Sequence, residues 1–246
     1  MGSFVQKDWS AVVWPCLQWT ADEKYMARLG GPGVQWFESR VLNTGAESSL
    51  AAKGATHFSV SPATDKYRCA VFVPKSASKP GVVSMYEYPR FKREQVVAAK
   101  SIFTAEEARI EWSANGKVLL ALLSSAMSAD SYYGDSACVL LGVDGTSNLI
   151  TLPKDGPVHD IAWNPAAPEC CVIAGGSPPV AALFNTKGKL VHNMGPGSRN
   201  TCVWSPSGQF FMLGGFGNMA GGLEFWDRKE LKKFCDNEAA CTTHCM

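Results

Sequence analysis

With 246 residues, 46% of them hydrophobic and 18% charged, the chain has enough apolar material for one large folded domain. A formal net charge of +1 excludes binding to polyanions by overall charge, so any nucleic-acid contact must rest on local patches. The nine cysteines follow an N-terminal stretch, Met1 to Asp8, with no secretory leader pattern, which predicts a reducing, cytoplasmic setting rather than a disulfide scaffold.

The first repeating element is Leu17-Gln18-Trp19-Thr20-Ala21-Asp22. It recurs as His57-Phe58-Ser59-Val60-Ser61-Pro62, Ile110-Glu111-Trp112-Ser113-Ala114-Asn115-Gly116, Ile161-Ala162-Trp163-Asn164-Pro165 and Cys202-Val203-Trp204-Ser205-Pro206-Ser207-Gly208. The central positions 19, 60, 112, 163 and 204 lie 41, 52, 51 and 41 residues apart, the period of a four-stranded propeller blade with variable loops. Each copy continues through a polar turn into a second apolar run: Tyr25 to Ala27, Cys69 to Val73, Val118 to Leu123, Cys170 to Ala174 and Phe210 to Leu213. That is hairpin chemistry. Third runs follow at Val34 to Phe37, Val82 to Tyr88, Ala137 to Val143, Val180 to Phe184 and Gly222 to Asp227, the last carrying a Trp-Asp dipeptide.

These patterns predict an all-β, WD40-like β-propeller of about five blades plus the start of a sixth. The blade units run 14–50, 51–97, 98–153, 154–195 and 196–234, with the next blade opening over 235–246. No separate second domain is expected. Because one blade cannot bury both faces of its sheet, a partial set implies a truncated or split chain, with an open propeller edge inviting self-association.

Chemical motifs are sparse. Cys235, Cys241, His244 and Cys245 lack paired C-x-x-C spacing, and neighbours on a strand point to opposite faces, so no metal site is expected. His57, His159 and His192 sit in three different units and no G-x-S-x-G elbow occurs, so no catalytic residues and no cofactor are expected. Gly175-Gly176-Ser177-Pro178-Pro179 lacks a following helix or phosphate-binding Lys and reads as a hairpin loop. Gln6 stands where a myristoylation signal needs Ser or Thr, and Val118 to Leu123 is too short to cross a bilayer, so no membrane role is expected.

Two basic clusters, Arg90, Lys92, Arg93 and Arg228, Lys229, Lys232, Lys233, read as solvated connections between blades or as phosphate contacts on RNA or a ribosome. Among Trp9, Trp14, Trp19 and Trp36, most should be core and any exposed one a partner anchor. Gly195-Pro196-Gly197-Ser198-Arg199-Asn200 reads as a turn between blades and Gly214 to Gly222 as a long hairpin. Arg199 is suited to bracing a neighbouring blade through backbone carbonyls.

Several segments, in order, resemble the propeller region of the eukaryotic translation initiation factor 2A family: Leu17 to Tyr25, Val34 to Glu38, Tyr132-Tyr133-Gly134, Leu152 to Asp160, Gly195 to Asn200, and Gly215 to Met219 through Trp226-Asp227. The resemblance implies a non-enzymatic factor built on a larger, nine-bladed propeller. It implies as partners the small ribosomal subunit and initiator tRNA, with mRNA or other initiation factors as further partners. Arg199, Asn200 and Asn218 are matched positions, and with the two basic clusters they make the set of RNA- or ribosome-binding candidates. A generic WD-repeat protein-interaction scaffold, or a non-functional remnant of the initiation factor, are the alternative readings.

Overall fold

A computed structural model describes residues 15–41, 45–91, 95–125, 134–219 and 222–237. The fold is an all-β, WD40-like propeller built of five four-stranded sheets. The first holds β1 (Leu17–Trp19), β2 (Tyr25–Gly30), β3 (Gly33–Glu38) and β4 (Ser48–Ala51). The second holds β5 (His57–Val60), β6 (Arg68–Val73), β7 (Gly81–Glu87) and β8 (Val96–Ile102). In the third are β9 (Glu107–Trp112), β10 (Val118–Ser124), β11 (Ser136–Gly142) and β12 (Ser147–Leu149). The fourth runs β13 (Val158–Trp163), β14 (Glu169–Ala174), β15 (Val180–Asn185) and β16 (Leu190–Pro196). The fifth is β17 (Thr201–Trp204), β18 (Phe210–Gly214), β19 (Leu223–Asp227) and β20 (Lys232–Asn237), with a 3-10 turn at Gly217–Met219 before β19.

The chain divides into two compact units, residues 1–125 with 141–147, and residues 126–140 with 148–246. In the first, Ala27, Leu29, Val34, Trp36 and Leu50 of the first sheet pack on Phe58, Cys69 and Val71 of the second. In the second, Cys171, Ile173, Ala181 and Leu183 of the fourth sheet pack on Cys202, Phe211, Leu213 and Trp226 of the fifth. Middle strands such as β14 and β15 are buried along almost their whole length, which is why they read as continuous apolar runs rather than alternating ones. Each fully buried Leu, Val or Phe contributes about 1.5–3 kcal/mol.

The fourth strands depart from the unit boundaries read in the sequence. β8 and β20 run across positions 97 and 234, and Cys235 lies on β20 of the fifth sheet. Arg90 therefore falls between β7 and β8, and Arg228 and Lys229 between β19 and β20, with Lys232 and Lys233 opening β20, so neither cluster lies between blades. Outer strands are largely solvated, as Leu190 and Val191 of β16 show, so they carry little apolar pattern to find.

Consecutive sheets within each unit are joined by hydrogen bonds at fixed repeat positions. The indole N–H of Trp112 donates to the Ser59 carbonyl at 3.4 Å and that of Trp204 to the Ala162 carbonyl at 3.3 Å. In both cases the acceptor is the residue just before the central position of the preceding copy. Val60 has no indole, and Gln18 makes the link instead, donating to Phe58 O at 3.0 Å and accepting from Val60 N at 2.8 Å. One position after the centre, Ser61 Oγ donates to the Gly116 carbonyl and Asn164 Nδ2 to the Gly208 carbonyl, at 3.0 and 3.2 Å. Both glycines have positive φ, 63° and 67°, and a Cβ on either would collide with the same partner, Ser61 Oγ or Asn164 Oδ1.

Candidate functional site

Arg199, Asn200 and Asn218 lie at the end of the fifth sheet where β17 begins. Arg199 is only 5% exposed. Its Nη1 donates to the Gly195 carbonyl at 3.0 Å and the Met194 carbonyl at 3.4 Å, and its Nη2 lies 2.8 Å from Glu224 Oε2. The guanidinium also stands 5.7 Å from the Trp226 ring centroid, and Trp226 Nε1 donates to Glu224. These contacts tie the end of β16 to β19, the geometry of a brace, and burial keeps the charge away from any surface ligand.

The Asn200 amide is engaged at both ends: Nδ2 donates to the Phe216 carbonyl and Oδ1 accepts from Phe216 N, each at 2.9 Å. It holds the loop leading to the 3-10 turn. Asn218, on that turn, is exposed.

The second basic cluster sits at the opposite end of β19. Five extended residues separate the two sets, roughly 14 Å at strand rise, so the structure does not bring them together. Arg228 forms a two-pronged ion pair with buried Glu169, both contacts at 2.5 Å, and this pairing raises its pKa. Asn164 Nδ2 donates to the same Glu169 at 2.9 Å, extending the network beneath the surface. Lys233 lies 2.7 Å from Asp236, which raises the lysine pKa and lowers that of the carboxylate. Lys229 and Lys232 are exposed.

Beside them, Phe234 is 60% exposed and its ring centroid lies 5.5 Å from that of Phe210, a surface aromatic pair that apolar patterning alone did not single out. In the first unit, Arg90 is exposed just after β7, while Lys92 and Arg93 lie outside the described residues. Trp36 is a core residue, Trp19 is half exposed, and Trp9 and Trp14 lie outside the described residues.

The histidines are used locally. His57 Nδ1 lies 3.0 Å from Thr56 Oγ1, and burial lowers its pKa against the opposing pull of Glu107, so the ring is neutral at pH 7. It borders a cavity of about 570 Å³ in the first unit that Glu106, Glu107 and Arg109 also line. Glu106 is paired with Lys75 at 2.8 Å. His159 Nε2 lies 2.9 Å from the Gly175 carbonyl, and the His192 ring packs 6.4 Å from that of Trp226. Burial pushes the thiols of Cys69 and Cys138 up to about 12, and a hydrogen bond with Cys202, aided by burial, raises Cys171. Such thiols are inert packing groups. Cys235 is exposed, and Cys241, His244 and Cys245 lie outside the described residues. No group of three or more metal-binding side chains occurs among the described residues.

Residues 100–246 match the family model described as "Eukaryotic translation initiation factor eIF2A". The chain belongs to the eIF2A family of translation initiation factors. Eukaryotic translation initiation factor 2A of Dictyostelium discoideum is 33% identical over 94% of this eIF2A-family chain and 38% of its own length. The Schizosaccharomyces pombe relative of the same name is 32% identical, covering 99% of this chain and 42% of its own. That of Drosophila melanogaster is 33% identical over 97% of the chain and 37% of its own length.

Among solved structures, one titled "Crystal structure of the eukaryotic initiation factor" superposes with a TM-score of 0.82 at 29% identity, covering 96% of this chain and 56% of the other. The C-terminal WD40 domain of Sif2 superposes at 0.52 with 14% identity, a likeness of fold alone. The eIF2A-family chain thus spans about two fifths of the length of the curated relatives it matches. Two of the segments that carry the resemblance, Gly195 to Asn200 and Gly215 to Met219, are held here by Arg199, which ties β16 of the fourth sheet to β19 of the fifth, and by Asn200, which holds the loop after β18.

Proposed function

We propose that this chain acts in translation initiation as a non-enzymatic, cytoplasmic binding surface that contacts the small ribosomal subunit and supports delivery of initiator tRNA. The carrying observation is its membership of the eIF2A family, on a fold whose histidines and buried thiols are engaged locally. No helix among the described residues is long and apolar enough to cross a membrane. With a formal net charge of +1, contact with RNA falls to exposed local cations. Lys229, Lys232 and Lys233 beside the Phe210–Phe234 pair, the last of them paired with Asp236, and Arg90 in the first unit are described cations that remain accessible, and Asn218 is exposed as well. Arg199 is reserved for bracing, and Arg228 for Glu169. mRNA or other initiation factors are further partners that a surface of this kind accommodates.

The test is co-sedimentation of the purified chain with small ribosomal subunits, and binding to initiator tRNA, across a salt series. Binding at low salt should weaken as salt rises, and the double variant Lys229→Glu, Lys232→Glu should flatten the log–log salt dependence by about 0.7–0.9 per lost phosphate contact. Absence of binding to either partner at low salt would overturn the proposal.

A further inference from the structure

Outside the first and fifth sheets, the exposed large hydrophobic residues among those described are Phe103, Leu149, Leu190 and Val191. The last three belong to one place in the second unit, where the turn from β15 to β16 meets the end of β12. A Cβ on Gly188 in that turn would lie 3.6 Å from the Leu149 carbonyl oxygen, so the two segments touch. Leu183 packs against the fifth sheet, and Phe184, next along β15, therefore turns to the other face. Leu190 stands opposite Phe184 and shares that face, and Val191 is the extra residue of the bulge that follows. Leu149 is 52% exposed, Leu190 54% and Val191 39%. The outermost strand of a blade faces away from the propeller axis whatever number of blades closes the ring, so this rim is not a face that a neighbouring sheet covers.

The turn beside these side chains is tightly held and carries only positive charge. Asn185 Oδ1 accepts from the backbone N–H of Lys187 at 2.9 Å and of Lys189 at 3.1 Å, while the Asn185 carbonyl accepts from Gly188 N at 2.9 Å. Gly188 supplies the positive φ, 74°, that closes the turn. Both lysine side chains are exposed, and neither makes a hydrogen bond or ion pair among the described residues. In the corresponding turn of the fifth sheet the capping acceptor is a carboxylate, Asp227. Here the cap is a neutral amide, so Lys187 and Lys189 have no anion built in beside them. No Asp or Glu occurs from Cys170 to Leu223, and the flanking Glu169 and Glu224 are each taken by an arginine.

We propose that this rim docks an acidic, aliphatic-rich segment of a partner protein. Aliphatic side chains of the segment cover Leu149, Leu190 and Val191, and its carboxylates meet Lys187 and Lys189. The exposed apolar groups here are aliphatic, whereas single-stranded RNA is held on aromatic rings and Arg planes, so the chemistry favours a peptide over nucleic acid. Three aliphatic side chains and two cations make a small contact, which places it in the weak, transient class. The turn is pre-organised by Asn185, so little ordering is needed on binding. The site is separate from the cations assigned to RNA above, and either proposal can fail without the other.

The test is fluorescence anisotropy of a labelled peptide, Glu-Asp-Leu-Ile-Glu-Leu-Asp-Glu, titrated with the full 246-residue chain, with hydrogen exchange of the chain followed in parallel. A copy of the peptide with Ser in place of Leu and Ile, and a poly-uridine oligonucleotide, are run beside it. The expected result is saturable binding of the first peptide with exchange slowed over residues 185–193. The double variant Lys187→Glu, Lys189→Glu should weaken that binding about tenfold. Leu190→Ser and the serine peptide should each abolish it. Val191→Ser replaces Leu190→Ser if circular dichroism shows the latter to be unfolded. Absence of saturable binding would overturn the proposal, as would binding that the double variant leaves unchanged or that the serine peptide matches. Oligonucleotide binding that slows exchange over the same residues while the peptide does not would give the rim to nucleic acid instead. Sedimentation of the chain alone, showing association that Leu190→Ser removes, would give it to a second copy and equally overturn the proposal.

Discussion

Glu23 shows what a single position in the repeat demands. It stands four residues after the centre of its copy, as Gly116 and Gly208 do in theirs, and shares their left-handed backbone with φ 58°. A Cβ in that region costs about 1–2 kcal/mol, so Glu23→Gly is expected to raise stability by up to about 1 kcal/mol in urea unfolding. The converse change, Gly208→Ala, meets both a φ of 67° and a collision of its Cβ with Asn164 Oδ1, and should cost more than about 2 kcal/mol. Gly195→Ala is the control, with φ 73° but nothing within 4 Å, and should cost only the backbone penalty. Tyr67 donates to Asp22 at 2.6 Å, a bond that lowers the Asp22 pKa and raises that of Tyr67 from 10.0 to about 12. The carboxylate therefore adds stability that is present above its ordinary value of 3.8 and lost as pH falls through the lowered one. The phenol adds stability that is present below pH 10 and lost between about 10 and 12. Urea melts of Tyr67→Phe against the unmodified chain should show their stability gap closing at both extremes, while the alkaline loss from Cys69 and Cys138 remains common to both. At this scale the turn residues were legible in the sequence. Their partners were not, because Asp22 and Tyr67 are 45 residues apart.

Strands and hairpins were legible wherever burial leaves an apolar run. The five inner copies and the second and third strands follow the sequence pattern closely, whereas half-exposed outer strands such as β8 and β20 lack one. The recurring tryptophan announced a repeat, yet its use as a donor to the preceding sheet needed coordinates, since the acceptors lie 53 and 42 residues upstream. Because these links join inner strands, the loops between copies can vary in length without disturbing them. Trp204→Phe keeps the ring and drops the bond, with an expected loss of about 0.5–1.5 kcal/mol in thermal or urea unfolding. Arg228→Ala strips the partner from buried Glu169 and should cost about 3 kcal/mol, the lower part of the range for a broken buried ion pair, because Arg228 itself is partly open to solvent. The Glu169 partner of Arg228 was not legible for the same reason of distance, since it lies 59 residues away in sequence.

For the molecule as a whole, the family was legible from collinear segments, while the binding surface was not. Resemblance marks residues that build the fold as readily as those that touch a partner, and the side chains of Arg199 and Asn200 are engaged in contacts within the fold. If accessible cations carry the contact with RNA, affinity for small subunits should respond to Lys229→Glu and Lys232→Glu while the melting temperature stays nearly constant, a separation that a substitution of Arg199 cannot show. The sheet-to-sheet bonds described above each connect one repeat to the next: first to second, second to third, fourth to fifth. Under a mechanical load applied at the two ends, such a series should yield like a row of press-studs, one fastening at a time. Each release frees one repeat of 41 to 52 residues, so stretching a single molecule should give steps of roughly 14–18 nm rather than one abrupt rupture.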